Sequence, residues 1–257
     1  MKLVLVFLLF LLCKASIVSG QHARFTTQGS IEFEKSVNMH AQIKKMINKN
    51  NETFYLPAFE QYKKSQPQFK TMKSTLSFSK DKTLYTPVAA EVLSRTFFSE
   101  LPAANQHSII YTDLNTSTST AQKNVYEELF LVTDSTRKIN WKLTSETRDI
   151  AGYNCRRANA LIMDSIYVVA FYTDEIPVSG GPESFTGLPG MILGVALPHE
   201  NITWFAKIVN DKALPSGTII APKKGKVTTS AGLITTLTKA LKNWGDYAQS
   251  QLKAYLL

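Results

Sequence analysis

The sequence predicts a mainly β (α+β) protein: one large twisted antiparallel sheet curled into an open or half barrel, with a helical insertion after the first strand and a long C-terminal helix. Three observations lead there. Between residues 23 and 209 about ten short segments alternate apolar and polar side chains, as half-buried strands do, and turn residues link them in succession. Little helical sequence intervenes, which argues against a doubly wound parallel sheet. From about Ala231 to Leu256 the spacing changes to three and four residues, with Leu233, Leu237, Leu241, Trp244 and Ala248 on one stripe, as in a helix that covers a sheet face.

Taken in order, the chain opens with Met1-Lys2, an unbroken apolar run from Leu3 to Leu12, and small residues from Ser16 to Gly20. This is the three-part pattern of a secretory signal peptide (1–20), cleaved after Gly20. An uncleaved anchor is the alternative for an apolar run too short for a comfortable span, and a lipid on Cys13 is disfavoured by the bulky Leu12 before it. Residues 21–257 then form a single domain. Ala23 to Asn38 reads as the first strand, and Met39 to Asn50 as a helix with His40, Ile43, Met46 and Ile47 at helical spacing. Phe54 to Tyr62 is a short aromatic helix or turn. Strands follow at 75–79 and 83–86 around a tight turn at Asp81-Lys82, then at 108–114, 123–133 and 139–144. Gly152 marks a close backbone approach before the next strand. Ile166 to Thr173 is almost wholly apolar, so both its faces are expected to be buried. Strands at 191–197 and 202–209 form a hairpin around Pro198 to Asn201, and 212–225 is a Pro, Gly and Lys linker.

The loop from Asp174 to Gly190 is the most densely punctuated part of the chain, holding Pro177, Gly181, Pro182, Gly187, Leu188, Pro189 and Gly190. Gly190 is expected at positive φ after Pro189, and Gly187 where another backbone comes close. Read in order, Ile150-Ala-Gly-Tyr-Asn-Cys155-Arg-Arg-Ala158, Tyr172-Thr-Asp-Glu-Ile-Pro177, Gly181-Pro182 and Gly187-Leu-Pro-Gly-Met-Ile-Leu193 resemble the GLPGLI family, secreted proteins of one group of Gram-negative bacteria. Met191 stands where the family motif has leucine, a volume-conserving swap. The resemblance implies an exported protein of the periplasm or outer membrane, and no established activity, cofactor or catalytic residue.

The chemistry is bounded by composition. At 44% hydrophobic and 19% charged the chain has material for a sizeable core. Cleavage would remove Lys2 and Lys14 and no acid, taking the formal charge from +9 to +7. The basic residues are scattered and no reading motif accompanies them, so no nucleic acid is expected as partner. After cleavage Cys155 would be the one cysteine, expected to be a buried core thiol rather than a nucleophile. The four histidines are far apart and form no short ligand pair, so no metal site is expected, and no G-x-S-x-G elbow is present. The favoured function is therefore non-enzymatic: an apolar or amphipathic ligand bound on a concave sheet face lined by Phe33, Phe78, Tyr85, Phe130, Trp141, Tyr167, Phe171 and Trp204. Those aromatics are plain core if helices fill the concavity. The alternatives are an accessory that docks to an envelope protein through residues 174–193, and a hydrolase or metal-dependent enzyme.

Overall fold

The computed structural model describes residues 26–89, 97–105, 108–245 and 247–257. The expected signal peptide and residues 23–25 of the expected first strand lie outside them. Among the described residues twelve strands form one mixed sheet. The strands are β1 (Gly29–Asn38), β2 (Phe69–Phe78), β3 (Lys82–Pro87), β4 (Ser108–Asp113), β5 (Thr118–Val125), β6 (Glu128–Ser135), β7 (Lys142–Ile150), β8 (Tyr153–Ile162), β9 (Ile166–Thr173), β10 (Met191–Leu197), β11 (Ile202–Asn210) and β12 (Lys226–Thr228). The order across the sheet is β12-β6-β5-β4-β3-β2-β1-β11-β10-β9-β8-β7. Two antiparallel meanders, β1 to β6 and β7 to β11, therefore meet where β1 pairs with β11.

The connection between the meanders dictates the shape. β6 and β7 lie ten strand spacings apart, about 48 Å in a flat sheet at ~4.8 Å per spacing. Only residues 136–141 join them, and seven extended Cα steps reach at most about 25 Å. The sheet must curl until its far edges approach, which gives the open barrel expected from the sequence, with β12 and β7 as unclosed edges. Strand alternation then sends Ile31, Phe33, Val37, Leu76, Phe78 and Trp204 inward. β9 is buried over nearly its whole length, as its unbroken apolar sequence requires.

The helical insertion is α1 (Met39–Met46) and α2 (Glu52–Ser65). The Asn38 side chain caps α1 by accepting from the Ala41 N–H at 3.1 Å, and Met39 and Ile43 supply its buried face. The expected C-terminal helix is divided into α3 (Ser230–Ala240) and α4 (Tyr247–Leu256). Thr229 caps α3 through Gly232 N–H, and Leu233, Leu237 and Leu241 are buried. The helix then stops at a turn where Gly245 takes a φ of +55°. Trp244 leaves the apolar stripe there and packs against Tyr126. No helix among the described residues is long and apolar enough to cross a membrane.

Three strand readings need correction. The segment 123–133 is two strands, because Tyr126 adopts a φ of +54° and reverses the chain without a glycine. Residues 139–141 belong to the crossing segment, and β7 begins at Lys142. Beyond the Pro, Gly and Lys linker, β12 adds a short parallel strand to β6.

Candidate functional site

The predicted aromatics divide by position. Phe33, Phe78, Tyr85, Phe130 and Trp204 are buried on strands β1, β2, β3, β6 and β11. Phe171 is buried beside Phe205. Tyr167 is half-buried near His199, and Trp141 lies in the crossing segment, where its indole N–H donates to the Thr186 carbonyl at 2.9 Å. None of the eight lines either of two cavities of about 420 and 460 Å3.

The punctuated loop is built as a brace. Met191 N–H donates to Ile176 O at 3.0 Å, Ile192 N–H to Gly180 O at 2.8 Å, and Gly187 N–H to the Ser179 hydroxyl at 3.1 Å. Ile176, Val178, Gly181, Pro182, Phe185, Leu188 and Gly190 are buried, while Pro177, Gly187 and Pro189 are exposed. Gly190 has the expected positive φ, +152°, and a Cβ there would lie 2.1 Å from the Thr173 carbonyl oxygen. The close backbone approach is therefore at Gly190. At Gly187 the nearest group is Trp141, at 3.6 Å.

Inside the curled sheet lies a charge constellation that the aromatic reading missed. Lys35 on β1 and Lys123 on β5 are both buried, on the inward face of their strands. Lys35 Nζ donates to Asn105 O at 2.8 Å and stands over the Trp204 ring. Lys123 Nζ donates to Tyr255 O at 2.9 Å. Burial pushes both ammonium groups below the ordinary lysine range, Lys123 to about 8, while Glu183 between them opposes the shift. The Tyr85 hydroxyl donates to Glu183 Oε1 at 3.3 Å, and burial, then Glu183, hold that phenol well above its usual value.

Lys123 also forms part of a cavity of about 420 Å3 between β4–β6, the crossing segment, the loop at 184–186, α3, the last residue of α4 and Leu257. Its apolar wall includes Ile110, Ala121, Val132, Met163 and Leu233. Its charged members are Lys123, Arg137, Lys138 and Asp134. The Asp134 carboxylate is occupied by the backbone N–H groups of Ser135 (2.8 Å) and Ser230 (3.1 Å). Arg137 Nη2 donates to Leu256 O, and Ser184 Oγ donates to Leu257 O at 2.7 Å. Three donors from separate elements thus hold consecutive carbonyls 255–257 against the cavity.

A second space, about 460 Å3, opens between α2, residues 97–102, the β5–β6 turn and α4. Tyr55, Phe97, Tyr126, Trp244, Tyr247 and Tyr255 line it, and Glu100 is its one charged side chain. Cys155 is fully buried, with its Sγ donating to Tyr153 O at 3.4 Å. Among the described residues no group of three or more His, Cys, Asp or Glu side chains is arranged to hold a metal ion.

Residues 161–194, from the end of β8 through β9 and the brace to β10, match the model of a family described as a protein of unknown function (Porph_ging). No curated protein matches the sequence. Among solved structures the chain is similar to PNGF-II in space group P21, at 18% identity over 85% of this chain with a TM-score of 0.48. It is also similar to PNGF-II in space group C2, at 16% identity over 88% of this chain with a TM-score of 0.48. The chain spans about a third (33%) of the length of those structures.

Proposed function

We propose that this chain is an exported cell-envelope protein of the GLPGLI type that binds an amphipathic small molecule inside its curled sheet and catalyses no reaction. One observation carries the reading: a 420 Å3 cavity whose wall is largely apolar adjoins a buried lysine and a partly buried arginine. That volume is in the range of small-molecule sites, which combine apolar walls with a few placed polar groups. Buried cations lower stability relative to well-packed apolar residues, so a cavity that keeps them beside empty apolar space is suited to a ligand. The motif at 187–193 lies inside the family match, which supports the GLPGLI assignment.

Docking through residues 174–193 has less support, because most of that loop's side chains are turned into the core. The test uses the neutral fluorophore N-phenyl-1-naphthylamine. The full chain is expected to bind one equivalent with a blue-shifted emission. Ala121→Phe, which builds a ring into the cavity, is expected to lose that binding while melting cooperatively. A folded wild-type protein that leaves the dye in water would overturn the reading. Intact mass of the exported form is expected to begin near Gln21, and retention of Met1 would count against export by cleavage.

A further inference from the structure

We infer that the headgroup this cavity receives is an anion, a carboxylate or phosphate monoester, held between Arg137 and Lys123. The inference rests on the cavity being a ligand site and adds the chemistry of its polar end.

The strongest observation is an orphan donor. Among the described residues Arg137 Nη1 is buried and has no hydrogen-bond partner, while Nη2 of the same guanidinium donates to Leu256 O. A buried N–H group left unpaired forfeits the hydration it had in water, and more so when it is charged. Arg137 lines the cavity, and although Nη1 is closed off from that space, a turn of the side chain would bring it to an acceptor there. A carboxylate or phosphate suits a guanidinium best, through charge-assisted hydrogen bonds.

The balance of charge agrees. Of the four charged side chains lining the cavity, Lys123, Arg137 and Lys138 are cations and Asp134 alone is an acid. The Asp134 carboxylate already accepts from Ser135 and Ser230, so it is not turned wholly to the space. Deeper in, Glu183 is a single carboxylate between Lys35 and Lys123. Burial lowers the pKa values of Lys35, Lys123 and Arg137, as expected where positive charge is desolvated without a full complement of anions. One bound anion would offset part of that surplus. The apolar wall sets the other end of the ligand. A methylene occupies about the volume of a water molecule, roughly 30 Å3, so the cavity holds a chain of about a dozen carbons.

The experiment is calorimetric titration of the full chain, below micellar concentrations, with four twelve-carbon amphiphiles: dodecanoate, dodecyl phosphate, dodecanol and dodecyltrimethylammonium. At least one of the two anions is expected to bind at least about tenfold tighter than dodecanol, with the cation weakest. Preference between dodecanoate and dodecyl phosphate identifies the headgroup. Arg137→Gln is expected to bring the anion-to-alcohol affinity ratio down to within about threefold. The wild-type comparison stands even if that variant does not fold. Equal affinity for anions and dodecanol, or tight binding of the cation, would overturn the anionic headgroup and leave the binding reading intact. Failure of all four to bind would overturn the binding reading itself.

Discussion

Replacing Gly190 by alanine should cost far more than an ordinary glycine substitution, and the structure separates the reasons. The residue has φ +152°, a conformation that L side chains rarely adopt, for which a strain of about 1–3 kcal/mol is typical. An added Cβ would also lie 2.1 Å from Thr173 O, 2.8 Å from Thr173 C and 3.1 Å from Asp174 Cα. These are backbone atoms at the end of β9, which cannot rotate away as a flexible side chain would. Forcing them apart disturbs the β9–β10 pairing where Met191 faces Thr173, at a further ~1–3 kcal/mol. The sum, about 2–6 kcal/mol, is a large part of the 5–15 kcal/mol that holds a typical domain together. Gly152 is the internal control: its φ is +83°, yet, against the close backbone approach expected there from the sequence, nothing lies within 4 Å of an added Cβ. Gly152→Ala should therefore show backbone strain alone, about 1 kcal/mol. Urea unfolding followed by tryptophan fluorescence compares the two. The expected result is a much lower midpoint for Gly190→Ala with an unchanged slope. Equal midpoints for the two variants would refute the brace. Because the clash is made by Cβ itself, valine at 190 should add only modestly to alanine.

Two further predictions concern buried titratable groups. Cys155 is fully buried, and burial, with Asp149 and Glu175 nearby, pushes its thiol up to about 12; a thiol reagent at pH 8 should react slowly with the native protein and fast in denaturant, and rapid native labelling would contradict this placement. Burial lowers Lys123 from 10.5 to about 8, so between those values the unfolded chain binds the extra proton and the folded chain does not. The Lys123 contribution to stability should therefore rise with pH from about 8 to about 10.5 and fall as pH drops towards 8. The difference between wild type and Lys123→Met in unfolding free energy isolates it, and a pH-independent difference would show that Lys123 is not desolvated.

Much of the fold was written in local patterns. The apolar run of β9 announced a strand buried on both sides, and Pro198 to Asn201 announced the hairpin between β10 and β11. The turn at Tyr126 was hidden because it uses positive φ at a residue other than glycine or asparagine. The cationic interior was partly legible. Ile31, Phe33, Lys35 and Val37 alternate onto one face, as do Ala121, Lys123 and Val125, so each lysine sits where an apolar side chain belongs. The part played by Arg137 was not legible, since it depends on the path of a short segment between strands distant in the sheet. The division between α3 and α4 depends likewise on the tertiary course of the residues that end against Lys123 and Ser184.

The seam between the two meanders has a consequence for folding. Each meander pairs strands that are neighbours in sequence, across connections of at most about thirty residues, whereas β1 and β11 join residues as remote as Ser30 and Asn210. Closing a chain loop of that length costs about 4–5 kcal/mol of entropy, against roughly 1–3 kcal/mol for the connections within a meander. Two half-sheets are therefore expected to form first, with their docking as the slow step. Until then β1 and β11 are bare edges bearing Phe33 and Trp204, able to pair with another chain as readily as with each other. The seam is expected to be a point of exposure to aggregation while the chain folds.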